Sequence, residues 1–184
     1  MLIEHLIYST ALAIFLGMIH YRLFKRDYSW IIIVSAYAPD LDIIFNLLHG
    51  NGGIAVVVYG HSLEHGDFHN IAILILYATF VALLLHPMGF KLADSFIFAG
   101  IGFAVHLFED ALVFRNGYRF LWPLVPQQLS IGLLPEARNF YGIANREVMI
   151  IGLILLFFSV ILRTACEGPR WVTNYLPMNW RSRL

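Results

Sequence analysis

Apolar residues run through this chain in five long stretches, 5–24, 30–48, 68–86, 94–114 and 148–162, separated by polar or proline-bearing connectors. Stretches near 20 residues are what an α-helix needs to cross a bilayer. The pattern predicts an all-α fold: a polytopic membrane helical bundle of about five transmembrane helices, forming one integral membrane domain over 1–184. The first stretch is preceded by Glu4 and followed by Arg22, Lys25 and Arg26. That is the reverse of a signal peptide's charge order, so a retained helix is expected. The fifth stretch would reach only about 22 Å as a helix, so flanking side chains must snorkel or the tail must extend it.

The pattern is broken in informative places. In the second stretch Pro39 interrupts the backbone ladder, and Asp40 and Asp42 flank a single Leu41. Each aspartate near the bilayer centre costs about 2.5–3.5 kcal/mol, so a cation, a proton or a water-filled cavity must hold them. Residues 49–70 are the least hydrophobic part of the first half. They carry His61, His65 and His69, which would share a face if this part were helical, although Gly66 argues for a turn. In 102–124 the fourth stretch places His106 and Asp110 at i and i+4, one above the other on a helix, with Glu109 beside that face. Residues 115–145 form a long proline-punctuated connection. Connections of this length in a small domain are usually functional, and its apolar content favours a re-entrant or interfacial lid between helices 4 and 5. Residues 146–184 hold the last helix and a tail with Trp171 and Trp180 among arginines, expected to anchor at the interface.

Composition sharpens this picture. Of 184 residues 59% are hydrophobic and only 13% charged, against about 25% charged in soluble domains. Twelve basic and twelve acidic residues cancel, which argues against a nucleic-acid-binding surface. The single cysteine, Cys166, excludes an intrachain disulfide and a thiolate cluster, so a zinc site would need His and carboxylate ligands.

Alternating crossings bring the polar breaks together. Helix 1 begins with His5 on the side where helix 2 ends beyond Asp40 and Asp42; helix 3 starts there with Asp67 and His69, and helix 4 finishes there with His106 and Asp110. The other end receives mostly Arg22, Lys25, Arg26, His86, Lys91 and the C-terminal arginines. Carboxylates with imidazoles suit a divalent metal ion, zinc first, with manganese and iron(II) open. Asp40, Asp42, His106 and Asp110 are the catalytic candidates, and His5, His65 and His69 join them as metal candidates. Arg115 and Arg119, with Trp122 nearby, are candidates for holding an anionic substrate.

Residues 5–124 resemble the small membrane-bound metal-dependent hydrolases described as LexA-binding and inner-membrane-associated. The likeness rests on His5 in helix 1, Pro39-Asp40-Leu41-Asp42 in helix 2, His65-Gly66 before His69, and His106 and Asp110 followed by Trp122-Pro123-Leu124. It implies a metal site of His5, Asp40, Asp42, His69, His106 and Asp110. A distant similarity to zinc-dependent phospholipases C implies phosphoester substrates. One departure concerns the histidine loop: the family shows His-Arg-Gly with five residues between histidine positions, whereas His65 and His69 are four apart without an Arg. His65 takes the first role there, or Glu64 or His61 substitutes. LexA binding is not carried over, because no residue here argues for it.

The leading expectation is a membrane-embedded metal-dependent hydrolase acting on a lipid or other phosphoester, with membrane lipid as its surroundings. The alternatives are an ion or proton transporter using intramembrane Asp and His, and a membrane interaction protein with a structural metal site. Eight Lys and Arg fall on the side of the 22–26 loop and tail, and four on the side of the site. The positive-inside bias thus places the site on the extracytoplasmic face of the cell membrane.

Overall fold

Each apolar stretch except the second becomes one long helix in a computed structural model describing residues 2–41, 57–58, 61–62, 65–113, 118–132 and 146–175. The helices are α1 (Leu2–Phe24), α2 (Trp30–Ser35), α3 (Ile71–Leu85), α4 (Leu92–Val113) and α5 (Arg146–Glu167). Among the described residues four segments are long and apolar enough to cross a membrane: Ile3–Phe24, Ile71–Met88, Leu92–Leu112 and Arg146–Glu167. The protein is thus an all-helical membrane bundle. Its one extended feature in the described residues is a two-residue antiparallel pair, Val57–Val58 with His61–Ser62. The last helix, at 22 residues, rises about 33 Å and needs no snorkelling to span.

The second stretch departs from expectation. Its helix has six residues and gives way to turns at 36–40, while 42–48 lie outside the described residues. Pro39 offers no N–H to the carbonyl of Ser35, which accepts instead from Ala38 N–H at 3.1 Å. The next donors follow the tighter spacing, Asp40 N–H to Tyr37 O at 3.2 Å and Leu41 N–H to Ala38 O at 3.4 Å. The Ala36 carbonyl thereby loses its α-helical donor, Asp40 N–H, and becomes available to a side chain.

Packing follows small residues. α1 lies along α5, α3 along α4, and α2 crosses α4 and α1. At Gly102 the crossing is so close that a Cβ would collide with the Ile32 carbonyl and sit 2.8 Å from Ser35 Cβ. Gly152 likewise admits Tyr8 of α1, whose hydroxyl donates to Val148 O at 2.8 Å. The core fills around Ile31, Ile32, Ala78 and Phe98, with Phe103, Leu107 and Phe120 forming a second cluster towards the far end of α4.

The end where α1 finishes holds a buried polar cluster around Arg163, while Arg170 of the tail stays exposed. Arg163 is fully buried inside α5. It pairs with Asp27, donates from Nε to Glu167 at 3.1 Å and reaches Tyr175 Oη at 3.2 Å. Trp171, expected as a surface anchor, is buried instead: its indole donates to Thr164 Oγ1 at 2.9 Å and its ring lies 4.9 Å from the guanidinium. Burial, with the Asp27 charge, pushes the Tyr175 phenol up to about 12, so at neutral pH it remains a hydroxyl bridging Arg163 and Ser29. His20 and Asp94, 3.5 Å apart, also lie at this end, so acid–histidine pairs are not confined to one end. Asp27→Ala would leave the buried guanidinium with Glu167 as its one carboxylate partner among the described residues. A loss of about 3 kcal/mol is expected, read as a lowered unfolding midpoint in detergent.

Candidate metal centre

At the opposite end four segments bring five candidate ligand side chains together. α4 supplies His106 and Asp110 from successive turns of one face. The broken end of α2 supplies Asp40. His69 comes from the turn just before α3, held by the Asn70 cap: Asn70 Oδ1 accepts from Ile73 N–H at 3.0 Å, and its Nδ2 donates to Asp67 O at 2.7 Å. His5 arrives from the first turns of α1. All five side chains are buried.

The separations are regular. His69 Nε2 lies 3.2 Å from His106 Nε2, 3.6 Å from Asp40 Oδ1 and 3.4 Å from Asp110 Oδ2. His106 Nε2 lies 3.6 Å from Asp40 Oδ1 and 3.5 Å from Asp110 Oδ2. These are five of the six separations among the four atoms. Ligand bonds of about 2.0–2.2 Å around a tetrahedral zinc would give edges of about 3.3–3.6 Å. The His106 tautomer agrees: Nδ1–H donates to the freed Ala36 carbonyl at 2.8 Å, which leaves a lone pair on Nε2 facing the cluster. His69, His106 and Asp110, and separately His5, Asp40 and His106, form groups compact enough to hold a cation.

His5 occupies a distinct place. Its ring stacks on His106 at 4.0 Å, Nε2 lies 3.5 Å from Asp110 Oδ1, and Nδ1 bonds the carboxylate of Glu109. A Glu109–His5–Asp110 chain thus orients one candidate ligand from behind. Sequence reasoning placed Glu109 beside the His106–Asp110 face without giving it a partner; the clue was that His5 and Glu109 fall at the same depth in antiparallel helices. It also missed Tyr118, whose ring covers His69 at a centroid distance of 4.5 Å and lies over Gly66, and the Ala36 carbonyl.

The remaining expected residues divide. His61 lies in the small extended pair and His65 opens a 3₁₀ turn, His65–Phe68, so no helical face joins His61, His65 and His69. Asp42, Glu64 and Arg115, and the side chains of His61 and His65, lie outside the described residues. Arg119 is exposed, as is Trp122, and the described residues do not bring either into the cluster. Their segment, 118–132, does lie against the site end. Phe120 O accepts from Ile71 N–H at 2.8 Å, capping α3, and Ile131 N–H donates to Ala111 O at 2.8 Å. Under it is an apolar cavity of about 480 Å³ lined by Ile71, Leu74, Leu107, Phe120 and Leu129.

A family model described as YdjM inner membrane protein matches residues 1–168. That description names a membrane and gives no likeness to hydrolases or to phospholipase C. No curated protein and no solved structure matches the chain.

Proposed function

The chain belongs to the YdjM inner membrane protein family, and from that premise and the cluster's geometry we propose that it is a metal-dependent hydrolase of phosphoesters. The observation carrying this reading is the buried convergence of His69, His106, Asp40 and Asp110, in which each imidazole nitrogen lies 3.2–3.6 Å from the other and from both carboxylates. Buried carboxylates in a membrane protein are costly without a counter-charge, and a divalent cation answers for both acids and both imidazoles at once. When bound, such an ion supplies Lewis acidity, polarising a phosphoryl oxygen and making water nucleophilic near neutral pH. The chain's own residues supply the rest. His106 is locked in one tautomer by Ala36; His5 holds Asp110 in place; the Glu109–His5 pair can carry a proton beside the reacting atoms. Tyr118 shields His69 from above, and Arg119, on the same side of the bundle, meets the anionic group as it arrives.

Purified protein loaded with zinc should hydrolyse a soluble chromogenic phosphodiester and lose that activity to a chelator. Arg119→Ala should raise KM in the same assay with bound metal unchanged. Activity indifferent to chelator would dismiss the reading. The excess of Lys and Arg at the other end supports an extracytoplasmic position for the site. Leu124→Cys, 77% exposed at the site end, should react with an impermeant maleimide from outside, whereas the exposed Cys166 should react only from inside. The opposite labelling pattern would invert the topology.

A further inference from the structure

A cleft of about 440 Å³ opens between α1, α4 and α5, walled by Leu12, Phe15, Phe108, Leu155 and Phe158 and headed by Glu109. It lies wholly within segments that span the membrane. Phe108 and Phe158 are each 60% exposed on its rim, so its mouth faces hydrocarbon rather than water. Along α1 it runs from Tyr8 to Phe15, about 10 Å of helix rise, and its volume is in the range of small-molecule sites. Its one charged lining residue is Glu109, 8% exposed. One carboxylate oxygen of Glu109 bonds His5; the other, Oε1, is buried without a hydrogen-bond partner among the described residues. A buried acceptor left unpaired is unfavourable, and a donor carried by the occupant of the cleft would relieve it.

We infer that this cleft binds the acyl chain of a membrane lipid that carries a hydroxyl or amide N–H beside its phosphoester, with Glu109 Oε1 accepting from that donor. The chain enters sideways from the bilayer between α4 and α5. The donor meets Glu109, and one imidazole further on, His5 touches Asp110. A phosphoester attached next to the donor is thereby delivered to the His69–His106–Asp40–Asp110 cluster. The inference names the substrate class of the hydrolase reading and, as a substrate site, rests on it. A protein helix does not fit the head of the cleft, because an apolar face would leave Oε1 without its donor.

The test reads binding separately from turnover. Full-length protein in phosphatidylethanolamine vesicles is exposed to a lysophosphatidylglycerol bearing a diazirine on its acyl chain, irradiated, and the adducts are mapped. Adducts should concentrate on Leu12 and Leu155 over Leu76 and Phe80, which face lipid on α3. The same probe with its hydroxyls methylated should need about tenfold higher concentration, the cost of one hydrogen bond to a buried carboxylate. Leu155→Trp, at a partly exposed position, should suppress labelling of Leu12 while leaving bound metal unchanged; Ala11→Phe fills the cleft from the opposite wall as a second variant. Adducts spread evenly over α3 and the cleft, or a methylated probe that labels equally well, would overturn the inference. So would covalent capture of a second copy of the chain at Leu155. Hydrolysis of the soluble phosphodiester with even labelling would remove the cleft alone. Concentrated labelling without any hydrolysis would leave a lipid site and remove the enzyme.

Discussion

Asp110→Asn is expected to reduce bound divalent metal to less than about a tenth of the wild-type amount, since even residues that only support metal ligands cost 10–100-fold in affinity. Asp110 serves the cluster with both oxygens: Oδ2 lies 3.4 Å from His69 Nε2 and 3.5 Å from His106 Nε2, and Oδ1 faces His5 at 3.5 Å. Asparagine keeps the shape, so helix insertion and α4 packing should survive, but it removes one negative charge and turns one oxygen into a donor. A cation bound only to the folded protein also stabilises it, by an amount that grows with the logarithm of ligand excess. Chelator should therefore lower the unfolding temperature of the wild type and leave that of Asp110→Asn nearly unmoved. Metal analysis and thermal unfolding with and without chelator decide the matter. Asp94→Asn, at the opposite end, provides a control that should keep its metal. Asp42→Asn asks if that residue answers to the same ion. Full metal occupancy in Asp110→Asn would reduce the cluster to a hydrogen-bonded network pinning four segments.

Gly102→Ala should be the most damaging single methyl in the bundle. The added Cβ would collide with the Ile32 carbonyl and lie 2.8 Å from Ser35 Cβ and 3.0 Å from Ile32 Cα. Two of those three neighbours are backbone and cannot rotate away. Overpacking of a tight interface costs about 1–3 kcal/mol, and the upper end is expected here. The damage should also reach the site. α2 must be close to α4 for Ala36 O to reach His106 Nδ1 at 2.8 Å and for Asp40 to meet His106 Nε2 at 3.6 Å. Separation would loosen both, so metal affinity should fall together with stability. Gly100→Ala makes the comparison clean: its Cβ would meet Leu74 and Ala78 side chains at 3.7 and 3.9 Å, ordinary contact distances. It should leave unfolding temperature and metal content near wild type. Equal behaviour of the two variants would show that the α2–α4 crossing does not govern the site.

Much of this was readable without coordinates because it is local or follows from alternation. Helix length and apolar content over 18 or more residues report membrane spans directly, and the four long helices stand where the apolar runs predicted them. His106 and Asp110 are neighbours in any α-helix. Given alternating crossings, His5, Asp40, His69, His106 and Asp110 had to fall at one end. The 37 residues between His69 and His106 therefore proved no obstacle to their meeting.

Which atoms face which depends on the rotation and closeness of helices, and no run of residues encodes that by itself. Arg163 reads as the flank of an apolar helix, yet it is buried because Asp27 and Tyr175, 136 and 12 residues away in the chain, converge on it. Trp171 reads as an interfacial anchor, yet it folds under the same guanidinium. Glu109 sits one residue from the expected ligand and acquires its place only because α1 presents His5 at its height. Pro39 announced a break, but only the packed structure put the freed Ala36 carbonyl opposite His106. Sequence by itself determined the four long spans and the common end of His5, Asp40, His69, His106 and Asp110, since both follow from helix length and alternation. The tertiary structure decided how they pair, because an unpaired polar atom is costly in a low-dielectric bundle and partners are met only in three dimensions.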